Sequence, residues 1–332
     1  MPQQELKRGA GLLFFAYGGE ATLQHFLHEA RNAARSFRAA GAAIRIGVVT
    51  NNDTVDSQLF DIHIQPRSDL LFPGDPCPYK YDKAQKCDPA ARPRQWITRL
   101  YYLAMSPFEL TWALDSNTAC CDPRAAASFL SLALESQMWG FNIATASQGK
   151  RSLYYPHNWN ILYRWTGATS NMMRDWLLLQ MRRGLSADDQ GTLFAAMQRQ
   201  RAAGGLRVGQ MPTPFATAFY SPTNKFFPRI TRPVTAPVVV FHTKANTREG
   251  VRAWCGAFNE AKGAPRQFWI PRKNAGIAAL RSVEACKAAI GTPHCPFHRS
   301  TPGPPMKVYS PRIESVSQGF NRSHPMRWRR RR

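Results

Sequence analysis

The residues of this chain best equipped for chemistry cluster around position 115. An apolar strand, Thr111 to Leu114, is expected to stop abruptly on Asp115. Open α/β sheets place ligand-facing residues at the C-terminal tips of their strands, and a carboxylate that closes a buried strand needs a partner. A cation fits that need, either a metal or a metal-bound diphosphate. Asn117, two residues on, adds an amide oxygen that binds a hard cation less tightly than a full charge does. Much later, His242 ends an apolar run, Val238 to Phe241, with Lys244 just beyond it. Such a histidine reads either as a satisfied core residue or as a neutral nitrogen ligand, with Lys244 as a point charge for phosphate.

Leu114-Asp115-Ser116-Asn117-Thr118 resembles the LDADT form of the DxD motif in GT-A-fold glycosyltransferases, particularly those similar to glycogenin and bacterial galactosyltransferases. In those families a basic residue sixteen positions before the first Asp binds the donor, and Arg99 holds that spacing. A solvated helix residue is its other reading. The resemblance continues in order along the chain. Phe14-Phe15-Ala16-Tyr17-Gly18-Gly19 is similar to the opening strand whose end holds the nucleotide base, and Val48-Val49-Thr50-Asn51-Asn52 to the second strand. His157 to Leu162 is similar to an FNSGVL strand, Asp188-Asp189-Gln190 to the DQ start of an acceptor-side helix, and Val240 to Lys244 to the late strand whose His completes the metal site. Together these pieces cover about residues 11 to 245.

The resemblance implies a GT-A-like α/β/α sandwich with a mainly parallel twisted sheet. It implies a hexosyltransferase-type enzyme that moves a sugar from a UDP- or GDP-sugar to a hydroxyl of a glycan, protein or small molecule. Asp115, Asn117 and His242 would hold Mn²⁺ or Mg²⁺, while Tyr17, Asn51, Arg99, Asp115, Asn158, Asn160 and Lys244 would contact the donor. Tyr17 reads equally as a base-stacking ring or as a core aromatic. Asp188 and Asp189 would face the acceptor or act as a base, and an N-cap after Ser186 is the alternative. The second acid of DxD is replaced by Asn117, which motivates a different reading: a pseudo-transferase that binds nucleotide sugar without turning it over.

These residues need a scaffold, and hydrophobic periodicity supplies one. Gly11 to Tyr17, Ile44 to Thr50 and the alternating Phe60, Ile62 and Ile64 read as strands. Between the first two, Leu23, Phe26, Leu27, Ala30, Ala34 and Phe37 recur at helical spacing. This βαβ opening implies a parallel sheet with crossover helices. A helix from Gln95 to Met105 feeds the Asp115 strand. Asp122 caps a helix running to Glu135, with Pro123 in its first turn. Asn142 to Ala146 and Asn158 to Arg164 read as strands, Thr169 to Met181 and Asp188 to Gln198 as helices, and Val238 to Phe241 as a late buried strand. Around this domain, 11–290, we expect a leader over 1–10 and a long surface loop over 66–94, which holds six prolines. A small mixed extension over 246–290 includes a helix near Ile277 to Ala289. A disordered basic tail is expected over 293–332.

The chain has 332 residues, enough for one large core, and a formal charge of +23. From Phe297 onward nine Lys/Arg face one acid, so +8 of that charge lies in the tail. A field this basic attracts polyanions and keeps a nucleic-acid-binding protein in view as a third reading. Arg and Ala enrichment without a basic-aromatic motif reads instead as compositional. The closing Arg-rich run is either incidental or a nuclear-import or anionic-surface signal. Two glycosylation sequons, Asn52-Asp53-Thr54 and Asn321-Arg322-Ser323, occur. No run of eighteen apolar residues is present, so no transmembrane helix is expected; the resemblance then implies either the Golgi lumen, behind an anchor outside this sequence, or the cytoplasm. Seven cysteines are too sparse for a disulfide scaffold and read as incidental, although Cys77 and Cys87 bracket one loop and could pair if the domain is lumenal. Cys286, His294, Cys295 and His298 fit no standard zinc spacing.

Overall fold

The computed structural model describes residues 9–68, 94–147, 156–182, 189–211, 215–218, 238–242 and Cys255. The expected leader up to residue 8, most of the 66–94 loop, the 246–290 extension apart from Cys255, and the tail lie outside the described residues. So do Asp188, Lys244, Cys77, Cys87, Cys286, Cys295, His294 and His298.

The chain opens with β1 (Ala10–Phe15), whose Leu12, Leu13 and Phe14 are fully buried. A run apolar on both faces suits a central strand of a covered parallel sheet. A Cβ at Gly11 would lie 2.4 Å from the Phe108 ring, so only glycine lets that ring close over the strand. Helix α1 (Glu20–Arg38) returns along the sheet, burying Leu23, Leu27, Ala30, Ala34 and Phe37 on one stripe. Strands β2 (Ile46–Val49) and β3 (Ile62–Ile64) follow, both parallel to their neighbours. Arg38 and the backbone N–H of Ile46 share the Asp61 carboxylate and tie the end of α1 to this edge.

Helix α2 (Arg94–Ala104) leads into β4 (Leu110–Leu114), all five of whose residues are buried. After a turn come β5 (Thr118–Cys120) and α3 (Pro123–Glu135). Asp122 Oδ1 accepts from the Ala125 N–H at 2.9 Å, the expected N-cap. The order continues with β6 (Ile143–Ser147), β7 (Pro156–Arg164), α4 (Gly167–Arg182), α5 (Asp189–Ala202), β8 (Val208–Gln210), β9 (Thr217–Ala218) and β10 (Val240–His242).

Seven strands form one sheet in the order β3-β2-β1-β4-β7-β6-β8. Four of its pairings are parallel, and β7 runs antiparallel to both β4 and β6. Helices α1 and α3 pack on one face around Trp112 and Phe129; α2, α4 and α5 pack on the other around Tyr163 and Trp176. The architecture is thus the expected α/β/α sandwich with a mainly parallel sheet. A second, three-stranded sheet, β5-β10-β9, has its middle strand antiparallel to β5 and parallel to β9. Among the described residues no helix is long and apolar enough to cross a membrane.

Candidate functional site

Asp115 stands one residue past β4, at its C-terminal tip. Its N–H donates to the Trp159 carbonyl at 2.9 Å, so the β4–β7 ladder holds its backbone to the last rung. Its own carbonyl accepts from the Thr118 N–H at 3.2 Å and from Thr118 Oγ1 at 2.6 Å. The Asp115–Thr118 segment is therefore a closed turn, with Ser116 buried and Asn117 half-buried within it.

Two basic groups meet the Asp115 carboxylate, one from sixteen positions before it and one from 127 positions after it. An Arg99 amino group lies 2.8 Å from Oδ1, and His242 Nε2 lies 3.7 Å from Oδ2. The small sheet explains the second approach: His242 is in register with Thr118, which places β10 beside the Asp115 turn across 127 positions. Trp159 flanks the imidazole, with ring centroids 5.1 Å apart.

Arg99 is not a solvated helix residue. Its side chain is 7% exposed, pairs with Asp115, and also donates to the Asn158 carbonyl at 2.8 Å. The guanidinium sits 5.5 Å from the Phe15 ring centroid, a cation–π placement that suits a planar, weakly hydrated cation in a buried position. Asn158 in turn donates from Nδ2 to Asp189 Oδ2 at 2.6 Å. Asp189 opens α5, where the helix N-terminus favours a negative charge. Asp115, Arg99, Asn158 and Asp189 thus form one chain of polar contacts below the sheet's C-terminal edge.

Tyr17 takes the core alternative. It is 8% exposed and packs with Leu13, Val49 and Tyr102. Burial holds its phenol well above the usual range, only partly offset by Arg99. Asn51 braces the loop after β1: its Oδ1 accepts from the Gly18 N–H and its Nδ2 donates to the Gly18 carbonyl, both at 3.1 Å. Gly18 has φ +139°, a conformation that residues with a Cβ rarely adopt, and the Asn51 amide holds it there.

Asn160 needs a correction. It is fully buried, accepting from Trp112 Nε1 at 2.8 Å and donating to the Phe215 carbonyl at 2.7 Å. Its amide joins two core aromatics rather than facing a sugar, because one residue's alternation along β7 turns it to the face opposite Ile161. Cys121, directly after β5, is disulfide-bonded to Cys255, a pairing the sequence did not suggest.

Sequence reasoning passed over two acidic and polar partners of the turn. Ser116 Oγ donates to Glu29 Oε2 of α1 at 3.0 Å, and His25 Nε2 lies 3.5 Å from Oε1. Burial raises the Glu29 carboxyl above its ordinary range; His25 and Ser116 pull it back, and the negative charge of Asp115 raises it further. A lone acid on an amphipathic helix gives no signal of this contact in the sequence.

The donor set can be tested against a divalent cation. Ligand atoms about 2.1 Å from one cation lie roughly 3–4 Å from each other, and Asp115 Oδ2 and His242 Nε2 are 3.7 Å apart. Arg99 engages the other carboxylate oxygen, and a carboxylate has acceptor sites for both. Among the described residues no cluster of three or more His, Cys, Asp and Glu surrounds a single point. The remaining positions would fall to an amide, water or phosphate oxygen.

No family profile matches the chain, and no curated protein matches it in sequence. Among solved structures it is similar to the galactosyltransferase LgtC in complex with donor and acceptor sugar analogues, at 15% identity and TM-score 0.40, covering 76% of this chain and 98% of that one. It is also similar to mouse xyloside xylosyltransferase 1, at 11% identity and TM-score 0.44, covering 72% and 99%. A glycosyltransferase involved in glycosylating the major capsid of PBCV-1 matches at 8% identity and TM-score 0.38, covering 74% and 99%.

Proposed function

We propose that this chain is a glycosyltransferase that moves a sugar from a nucleotide-diphosphate donor, UDP- or GDP-linked, to a hydroxyl acceptor with the help of Mn²⁺ or Mg²⁺. The observation that carries this reading is the meeting of Asp115 and His242 at one strand tip across 127 positions. Asp115, His242 and the Asn117 amide would hold the cation. When bound, it would supply Lewis-acid stabilisation to the leaving diphosphate.

The protein's own groups have separate tasks. Arg99 fixes the Asp115 carboxylate through Oδ1 and leaves Oδ2 toward His242. Its positive charge, with that of Lys244, offsets the negative charge developing on the phosphate oxygens. Trp159 orients the imidazole from its flank. The Asn158 carbonyl keeps Arg99 in place, and Asp189 holds the Asn158 amide; both residues would meet sugar or acceptor hydroxyls. Asp188 or Asp189 is the candidate base. Tyr17 and Asn51 shape the loop after β1, against which a nucleotide base would lie.

A second reading, binding without transfer, is favoured by Asn117, which removes one full charge from the cation site. A thermal-shift screen of nucleotide sugars, with and without Mn²⁺, tests the shared premise. Stabilisation by one donor, stronger with Mn²⁺ and lost in Asp115→Asn, supports the site. Equal stabilisation of wild type and Asp115→Asn refutes it.

A further inference from the structure

The turn that carries Asp115 and Asn117 is gripped from outside its own sheet. Ser116, between them, is 6% exposed and donates to Glu29 across 87 positions. Glu29 lies on the stretch of α1 that packs against β5, where Ser36 Oγ also accepts from the Cys120 N–H at 3.0 Å. The glutamate side chain is only 12% exposed. Burying a carboxylate so near a second one, Asp115, is costly unless positive charge lies between or beside them. On its own helix His25, 66% exposed and 3.5 Å away, and His28 offset part of that cost. An uncharged residue at position 29 could accept the same hydrogen bond without that cost.

Resting on the cation site of the transferase reading, we propose that Glu29 supplies the second negative charge of that site, acting through Ser116 in place of the acid that Asn117 lacks. Glu29 is a positioning residue: it touches Ser116 and not the cation. Its charge draws a divalent ion toward the turn, and its hydrogen bond holds the turn so that Asp115 Oδ2 faces His242. Partners one shell out from metal ligands typically change metal affinity about 10–100-fold when removed. The lower end applies to a group acting through a serine.

The test is a Mn²⁺ titration of the full chain without donor, followed by the electron paramagnetic resonance signal of free Mn²⁺. Glu29→Gln keeps the size and the acceptor oxygen but removes the charge, and should weaken Mn²⁺ about tenfold. Glu29→Asp keeps the charge and should weaken it less. Adding Asn117→Asp to Glu29→Gln should return the affinity to near wild type, because the charge is restored on the turn itself. A purely structural role for Glu29 would give the same gain from Asn117→Asp in wild type and in Glu29→Gln, whereas a charge shared between the two positions makes the gain larger in Glu29→Gln. Wild-type affinity in Glu29→Gln, with Asp115→Asn still losing Mn²⁺, overturns this inference and leaves the site standing. Absence of Mn²⁺ binding by both wild type and Asn117→Asp overturns the site and the inference together.

Discussion

Replacing Asn160 by Leu separates a core role from a donor contact. The two side chains share the same branching, so the change removes the hydrogen bonds while the larger leucine adds some overpacking. Trp112 Nε1 and the Phe215 carbonyl, which meet the amide at 2.8 and 2.7 Å, would both be left inside a fully buried pocket. Each orphaned group costs about 1–3 kcal/mol, or about 2–6 kcal/mol for the pair. Burying the leucine side chain returns about 1–2 kcal/mol, leaving a net loss of about 1–4 kcal/mol. With a urea dependence of about 2–3 kcal/mol per molar, the unfolding midpoint should fall by about 0.3–2 M. A cycle with Trp112→Phe sharpens the assay. In the Asn160→Leu background that second change removes an orphaned N–H, so it should cost about 1–2 kcal/mol less than in wild type. An unchanged midpoint, with donor affinity lost instead, would refute the core assignment.

Three further outcomes follow from individual contacts. Peptide mapping without reductant should recover Cys121 and Cys255 as one linked pair, and Cys121→Ser should lower stability by about 2–4 kcal/mol; separate peptides would contradict the bond. Exposed Gln137 has φ 52°, so Gln137→Gly should stabilise by about 1 kcal/mol, read as a rise in Tm of about 2–4 °C, and a fall would show that the side chain is needed. The Glu29 carboxyl titrates above its ordinary 4.5 in the fold. The stability it contributes is therefore complete below about pH 4.5 and is lost as pH rises through its folded value. Glu29→Gln should consequently gain in Tm relative to wild type between pH 4 and pH 7, and a difference that stays flat would exclude burial as the cause.

What could be read from sequence had strong local signals. The α1 stripe, the Asp122-Pro123 cap and the apolar run closing on Asp115 each combine a period with a punctuating residue, and each forms as expected. Strands β5 and β9, three and two residues long, had no period to display. Yet β5 is the rail along which β10 brings His242 to Asp115, so the reason for their meeting was hidden. The antiparallel direction of β7 depends on chain path rather than on residue type. Long-range side-chain pairing was equally silent: Arg99 could have been solvated, and its salt bridge depends on α2 packing beside the β4 tip. Asn158 and Asn160, two apart on β7, would share a face by simple alternation, and the register shift that carries the pairing with β6 from Ile161 to His157, which separates them, has no mark in the sequence. The Cys121–Cys255 bond spans 134 positions without a spacing pattern.

The proposed chemistry meets its most direct test in nucleotide diphosphate release from a panel of UDP- and GDP-sugars, followed across a Mn²⁺ titration for wild type and Asn117→Asp. An amide in place of a carboxylate weakens the cation without closing its site. Wild type should therefore release diphosphate from one donor at high Mn²⁺, and Asn117→Asp should reach half-maximal release at lower Mn²⁺. Donor binding by both proteins with release by neither would contradict the transferase account and leave a binding module.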